Sequence, residues 1–76
     1  MHYLYFTSEF CAPCKKVKPE IIKHKEIKII DIDEDQKLSK KYDVLSIPTL
    51  LVLNNKNEIE QQITGTTIIK FLKENL

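Results

Sequence analysis

Residues 2–7, HYLYFT, place aromatic and apolar side chains at successive positions. An extended chain would be apolar on both faces there, which predicts a strand buried on both sides. The period then changes. Cys14, Val17, Ile21 and Ile22 recur at helical spacing, with Lys15, Lys16, Lys18 and Lys23 outside the stripe, predicting an amphipathic helix. Pro19 falls inside it and removes the amide that would bond the Lys15 carbonyl, so a kink is expected. Residues 26–33, EIKIIDID, read as a second two-sided strand. Residues 34–44, EDQKLSKKYDV, suggest a short helix that turns Leu38 and Tyr42 inward. The continuous apolar run TLLVLN, 49–54, predicts a central strand, and NNKN, 54–57, a turn, because asparagine tolerates positive φ. EIEQQIT, 58–64, puts Ile59 and Ile63 on one face opposite mostly polar residues, as in an edge strand. Gly65 ends that strand. Thr66 is positioned to cap a last helix carrying Ile68, Ile69, Leu72 and Leu76.

The predicted order is β-α-β-α-β-β-α, an α/β class. The first two strands flank a helix and should be parallel with a right-handed crossover. The last two share a tight turn and must be antiparallel. A four-stranded mixed sheet with helices on both faces covers every apolar stripe, with residues 1–76 forming one domain. That length suffices for one modest core.

Charge narrows the function. The net charge of +1 supplies no bulk field to recruit nucleic acid or an anionic membrane. All basic side chains are lysine, which argues against bidentate base or phosphate recognition. No apolar run approaches about 18 residues, so no membrane span is expected. The first residues, MHYLYFTSEF, lack a basic start and a signal-type apolar stretch. A cytoplasmic, reducing compartment is the resulting expectation, and there a lone cysteine pair is seldom a permanent staple.

The chemistry concentrates in EFCAPCKK, residues 9–16, which holds both cysteines. They fall where the first strand becomes the first helix, Cys11 at the helix start and Cys14 one turn in. Free backbone amides and the helix dipole favour a thiolate at Cys11 and lower its pKa below the ordinary thiol value. Cys14 opens the apolar stripe, so it should be sheltered and protonated. An exposed thiolate that attacks a disulfide, beside a buried partner that resolves the mixed disulfide, suits exchange chemistry. Pro13 needs no amide hydrogen in a first turn and stiffens it. Other readings are weaker. A structural disulfide here closes a very small loop and constrains the unfolded chain little. Zinc needs about four ligands, and His2 and His24 should lie far from the pair. Two inert core cysteines would not account for a helix-start position. Neither a metal nor a cofactor is expected.

With these residues in view, the chain resembles the thioredoxin superfamily. FCAPCKKVKP, 10–19, is similar to that family's WCGPC motif, including the following lysine and the kinking Pro19. YDVLSIPTLLVL, 42–53, resembles its cis-proline signature, and ITGTT, 63–67, supplies a glycine where the family has one beside the active site. The family's N-terminal strand and helix have no counterpart, leaving a glutaredoxin-sized minimal fold. The resemblance implies that Cys11 and Cys14 are catalytic and that Ile47–Pro48 is cis and packed against them. It further implies that Phe10, Ala12, Pro13, Ile47, Pro48 and Gly65 form the rim contacting substrate, with the Ile47 backbone free to pair with an extended segment.

The departures from the family are specific. Phe10 stands for the usual Trp and Ala12 for Gly. Tyr5 occupies the place of a buried Asp that accepts the second thiol's proton, and Ile29 that of its partner Lys. Both members of an ion pair that neither could survive alone are gone together. Deprotonation of Cys14 is then left to water or to the leaving thiolate, with Tyr5 a core aromatic. The expected activity is thioredoxin-like reduction of protein disulfides, with a thioredoxin reductase or equivalent as electron source, acting as a monomer. Its potential should lie nearer about −270 mV than the roughly −120 mV of strong oxidants. The alternatives are a glutathione-dependent glutaredoxin or a non-catalytic binding module of the same fold. Glutaredoxins usually have a lysine three residues before the first cysteine and Gly-Gly-Cys-Asp near the last helix. Ser8 and GTT stand in those places here.

Overall fold

The computed structural model describes residues 1–76. Strands β1 (His2–Thr7), β2 (Ile27–Asp31), β3 (Thr49–Leu53) and β4 (Ile59–Thr64) alternate with helices α1 (Ala12–Ile21), α2 (Gln36–Lys41) and α3 (Thr67–Asn75). The four strands form one sheet in the order β2-β1-β3-β4. β1 and β2 run parallel, while β3 is antiparallel to both β1 and β4. The mixed α/β architecture follows the hydrophobic pattern.

The strand alternation of β1 divides its side chains between two cores. Tyr5, Ile27 and Leu50 pack with Val17 and Ile21 of α1 and Ile68 and Leu72 of α3. Leu4, Phe6, Ile30, Leu51 and Leu53 form the other cluster, which Leu38, Tyr42, Val44 and Ile47 partly cover. Every residue of β3 is buried, as its unbroken apolar run requires. Asp35 caps α2 by accepting the Leu38 N–H at 3.2 Å, and Tyr42 closes that helix.

Several elements depart from expectation. β2 is an edge strand five residues long, with only Ile27 and Ile30 buried; Lys28 and Ile29, on opposite faces of the sheet, are both exposed. Helix α1 runs through Pro19 and stops at Ile21, so Ile22 is exposed at its C-cap. A register shift beside Val52 and Leu53 pairs Ile63 with Leu50 but Ile59 with Leu53. This bulge puts the two isoleucines on opposite faces, and only Ile63 packs against a core. Thr66 makes no side-chain cap. Instead the Thr67 hydroxyl donates to the Thr64 carbonyl, while Phe71 joins the core margin and Leu76 lies outside it.

Three residues have left-handed backbone: Asp43 (φ 54°), Asn57 (φ 63°) and Gly65 (φ 64°). Asn57 completes the β3–β4 turn, where the Asn54 carboxamide oxygen accepts the Lys56 and Glu58 N–H groups at 2.8 and 2.9 Å.

Candidate active site

Sheet register gathers the site. Phe6 lies opposite Thr49, and Thr49 opposite Thr64. The segments that follow β1, precede β3 and follow β4 therefore emerge at the same end of the sheet. They carry the cysteines, Ile47–Pro48 and Gly65, respectively.

Cys11 and Cys14 are joined as a disulfide, with Cα atoms 5.2 Å apart. Cys11 is the N-cap of α1, and its Sγ accepts the Cys14 N–H at 3.3 Å. Ala12 and Pro13 occupy the first helical positions, where a missing proline amide costs nothing. Cys11 is 9 % exposed and Cys14 3 %. The order matches the expectation that Cys14 is the more sheltered. The openness expected of the reduced Cys11 is not seen in this disulfide-linked form. Phe10, by contrast, is 90 % exposed, and Ala12 and Pro13 are exposed beside it.

The Ile47–Pro48 peptide bond is cis. Pro48 is buried, and its carbonyl accepts the Gly65 N–H at 3.0 Å. The Thr49 hydroxyl donates to the Ser46 carbonyl at 2.7 Å, so the loop is tied at both ends. Between these ties the N–H and C=O of Ile47 make no hydrogen bond within the chain. Gly65 has open space where a Cβ would stand, so its positive φ, not crowding, makes glycine the fitting residue. Leu45, two residues before Ile47, is 89 % exposed. The hydrophobic pattern gave no sign of this, since Leu45 sits in the run VLSIP.

Tyr5 and Ile29 are cross-strand partners. The Tyr5 side chain is fully buried, and its hydroxyl donates to the Cys14 carbonyl at 3.4 Å. Burial pushes the Tyr5 pKa above the usual phenol value, with a smaller opposing effect from the Thr7 hydroxyl. The phenol therefore stays neutral at physiological pH. Because the folded pKa exceeds the unfolded one, the associated stability is intact below about pH 10 and is lost as pH climbs through the folded value. Urea unfolding of the wild type should weaken from pH 9 to 11 relative to Tyr5→Phe, which lacks the titrating group. Parallel midpoints for both proteins over that range would contradict the assignment.

Beside Tyr5 a cleft of about 330 Å3 opens, lined among others by Thr7, Cys14, Lys18, Ile29 and Asp31. Sequence reasoning did not find it. The available signal was parity, since Tyr5 and Thr7 share a face of β1, opposite Ile29 and Asp31 on β2.

A mixed four-stranded sheet whose first helix is capped by one cysteine of a linked pair, with a cis-proline loop at the same sheet end, defines the thioredoxin fold class. The chain belongs to the thioredoxin family, whose sequence profile matches residues 1–75. It is 38 % identical over 65 residues to the thioredoxin of Bacillus subtilis strain 168, an alignment covering 76 % of this chain and 62 % of that protein. It is 34 % identical over 64 residues to the thioredoxin of Chlamydia pneumoniae, covering 76 % and 63 %. The chain thus spans less than two thirds of the length of these relatives. Among solved structures, thioredoxin 1 of Thermosipho africanus TCF52B superposes with a TM-score of 0.81 at 22 % identity, over 96 % of this chain and 88 % of that one. The oxidised thioredoxin of Plasmodium falciparum gives 0.75 at 21 %, over 95 % and 77 %. At such identities the superpositions establish the fold. No helix is long and apolar enough to cross a membrane.

Proposed function

We infer that the chain is a dithiol–disulfide oxidoreductase that reduces protein disulfides through reversible exchange at Cys11 and Cys14. The observation that carries this reading is the linked pair at the start of α1, with the Cys14 amide directed at the Cys11 sulfur. That amide and the helix terminus stabilise negative charge on Cys11 when the pair is reduced. The Cys11 thiolate attacks one sulfur of a substrate disulfide, expelling the other as a thiolate and leaving a mixed disulfide. Cys14, deprotonated, attacks Cys11. The substrate's remaining sulfur leaves as thiolate and the Cys11–Cys14 bond closes. Two electrons have passed to the substrate, and a reductase returns them to the pair.

Phe10, Ala12, Pro13, Ile47, Pro48 and Gly65 are the proposed contact rim. Phe10 offers apolar area, and the unpaired N–H and C=O of Ile47 suit strand-like pairing with an extended segment. A single thioredoxin-like domain over residues 1–76, acting as a cytoplasmic monomer, completes the proposal.

Insulin reduction with two electron sources tests it. NADPH with thioredoxin reductase should sustain turnover, and glutathione with its reductase should not. Activity with glutathione alone would move the chain to the glutaredoxin type. In the reduced protein at neutral pH, iodoacetamide should modify Cys11 at least about tenfold faster than Cys14. Equal rates at the two thiols would remove the asymmetry on which the exchange depends.

A further inference from the structure

We propose that the cleft beside Cys14 carries the Cys14 thiol proton through water to the carboxylate of Asp31 while the mixed disulfide is resolved. The proposal rests on the dithiol reading above and deepens it. The family's acid is absent from β1, yet the second thiol must still ionise before it can attack. Two features of the cleft supply a route.

The first is connection. Cys14 and Asp31 line the same cleft, and its roughly 330 Å3 has room for several waters at about 30 Å3 each. The second is a free acceptor. Asp31 ends β2 and is half-buried. Its Oδ1 accepts the Asp33 N–H at 2.8 Å, which fixes the carboxylate, while Oδ2 has no partner in the chain.

The other ionisable groups around the cleft serve less well. The Tyr5 phenol is neutral, and its O–H is already donated to the Cys14 carbonyl. Lys15 and Lys18, on the α1 wall, bring positive charge that favours anions in the cleft, a thiolate as well as a carboxylate. Glu9 also lines the cleft, but its side chain is exposed and held by no hydrogen bond or ion pair. Asp33 does not line the cleft, and it accepts the hydroxyl of Ser8 at 2.9 Å.

The step balances. The S–H bond of Cys14 breaks and its proton passes by way of water to Asp31. The thiolate forms a bond to the Cys11 sulfur, and the bond from Cys11 to the substrate breaks. The departing substrate thiolate takes up a proton from solvent or, through the same water, from Asp31, which restores the carboxylate.

Stopped-flow kinetics with the reduced full chain and a disulfide-bonded peptide separate the two steps. The first is measured alone in a Cys14→Ser background. With Asp31 as acceptor, the wild-type resolving rate should be nearly level through neutral pH. In Asp31→Asn it should fall by about tenfold for each unit of pH below the ionisation of the thiol, and by at least about tenfold at pH 6.5. Asn keeps an oxygen for the Asp33 amide, so the fold is retained, as checked by thermal unfolding. Asp31→Glu should restore part of the rate, Glu9→Gln should follow the wild-type profile, and the first step should be unchanged in Asp31→Asn. Superimposed profiles for wild type and Asp31→Asn would overturn the role of Asp31, as would an equal slowing of both steps or the same loss in Glu9→Gln. A wild type that reduces no disulfide at all would instead remove the exchange reading itself.

Discussion

Cys11→Ser should lower insulin reduction by at least about a thousandfold, because a serine hydroxyl neither ionises nor attacks sulfur at neutral pH. Cys14→Ser should fail differently. Cys11 still attacks, but nothing within the chain releases the product, so the variant should accumulate a covalent adduct with its substrate. Mass spectrometry after mixing with a disulfide-bonded protein reads the difference, namely an adduct with Cys14→Ser and none with Cys11→Ser. The position of each sulfur sets this asymmetry. Cys11 caps the helix and receives the Cys14 amide, whereas Cys14 is the less exposed of the two and belongs to the buried stripe of α1. An adduct forming equally well through either cysteine would mean that the roles are interchangeable.

The second large effect concerns stability. Phe6 is fully buried among Leu4, Ile30, Leu51 and Leu53. Phe6→Ala should cost about 3–5 kcal/mol, combining lost transfer free energy with a residual cavity. A chain of 76 residues has about 4–11 kcal/mol in total, so the variant should lose from about a quarter of its stability to all of it. Urea titration followed by circular dichroism measures the loss. A change below about 1 kcal/mol would show that this side of the sheet is loosely packed. Ile59→Ser provides the contrast. Ile59 is 44 % exposed and joins neither core, so its loss should fall within roughly 0.5 kcal/mol.

The sequence disclosed the parts of the molecule in which local pattern and tertiary environment agree. β1 and β3 are apolar on both faces and occupy the two inner places of the sheet. The cysteine pair, lying where strand period gives way to helix period, marked both the start of α1 and the candidate chemistry. The pattern misled where a neighbour decides the outcome. Ile29 looked buried by composition, yet it lines the open cleft beside Tyr5 and is exposed. The separation of Ile59 from Ile63 came from a bulge, and an inserted residue leaves no trace in a period-two reading. The shelter of Cys11 in the linked pair was not legible in its motif either.

The candidate site was legible to the same degree. Cys11, Cys14, Pro48 and Gly65 could be named from short motifs. The cleft joining Cys14 to Asp31 could not, because it exists only once β1 and β2 are in register and α1 lies across them. Nor could the mooring of the proline loop, which depends on a hydrogen bond from Gly65 to Pro48 spanning two strands.

Two of the three left-handed positions, Asp43 and Asn57, are filled by side chains that tolerate that conformation, and only Gly65 uses glycine. Ordinary composition would give such a chain about five glycines, and this one has a single glycine. Each glycine replaced without strain removes disorder from the denatured ensemble worth about 0.4–1 kcal/mol. With Asp and Asn at two such turns, the denatured chain has fewer conformations open to it than glycine would allow, a contribution that no contact in the native state records.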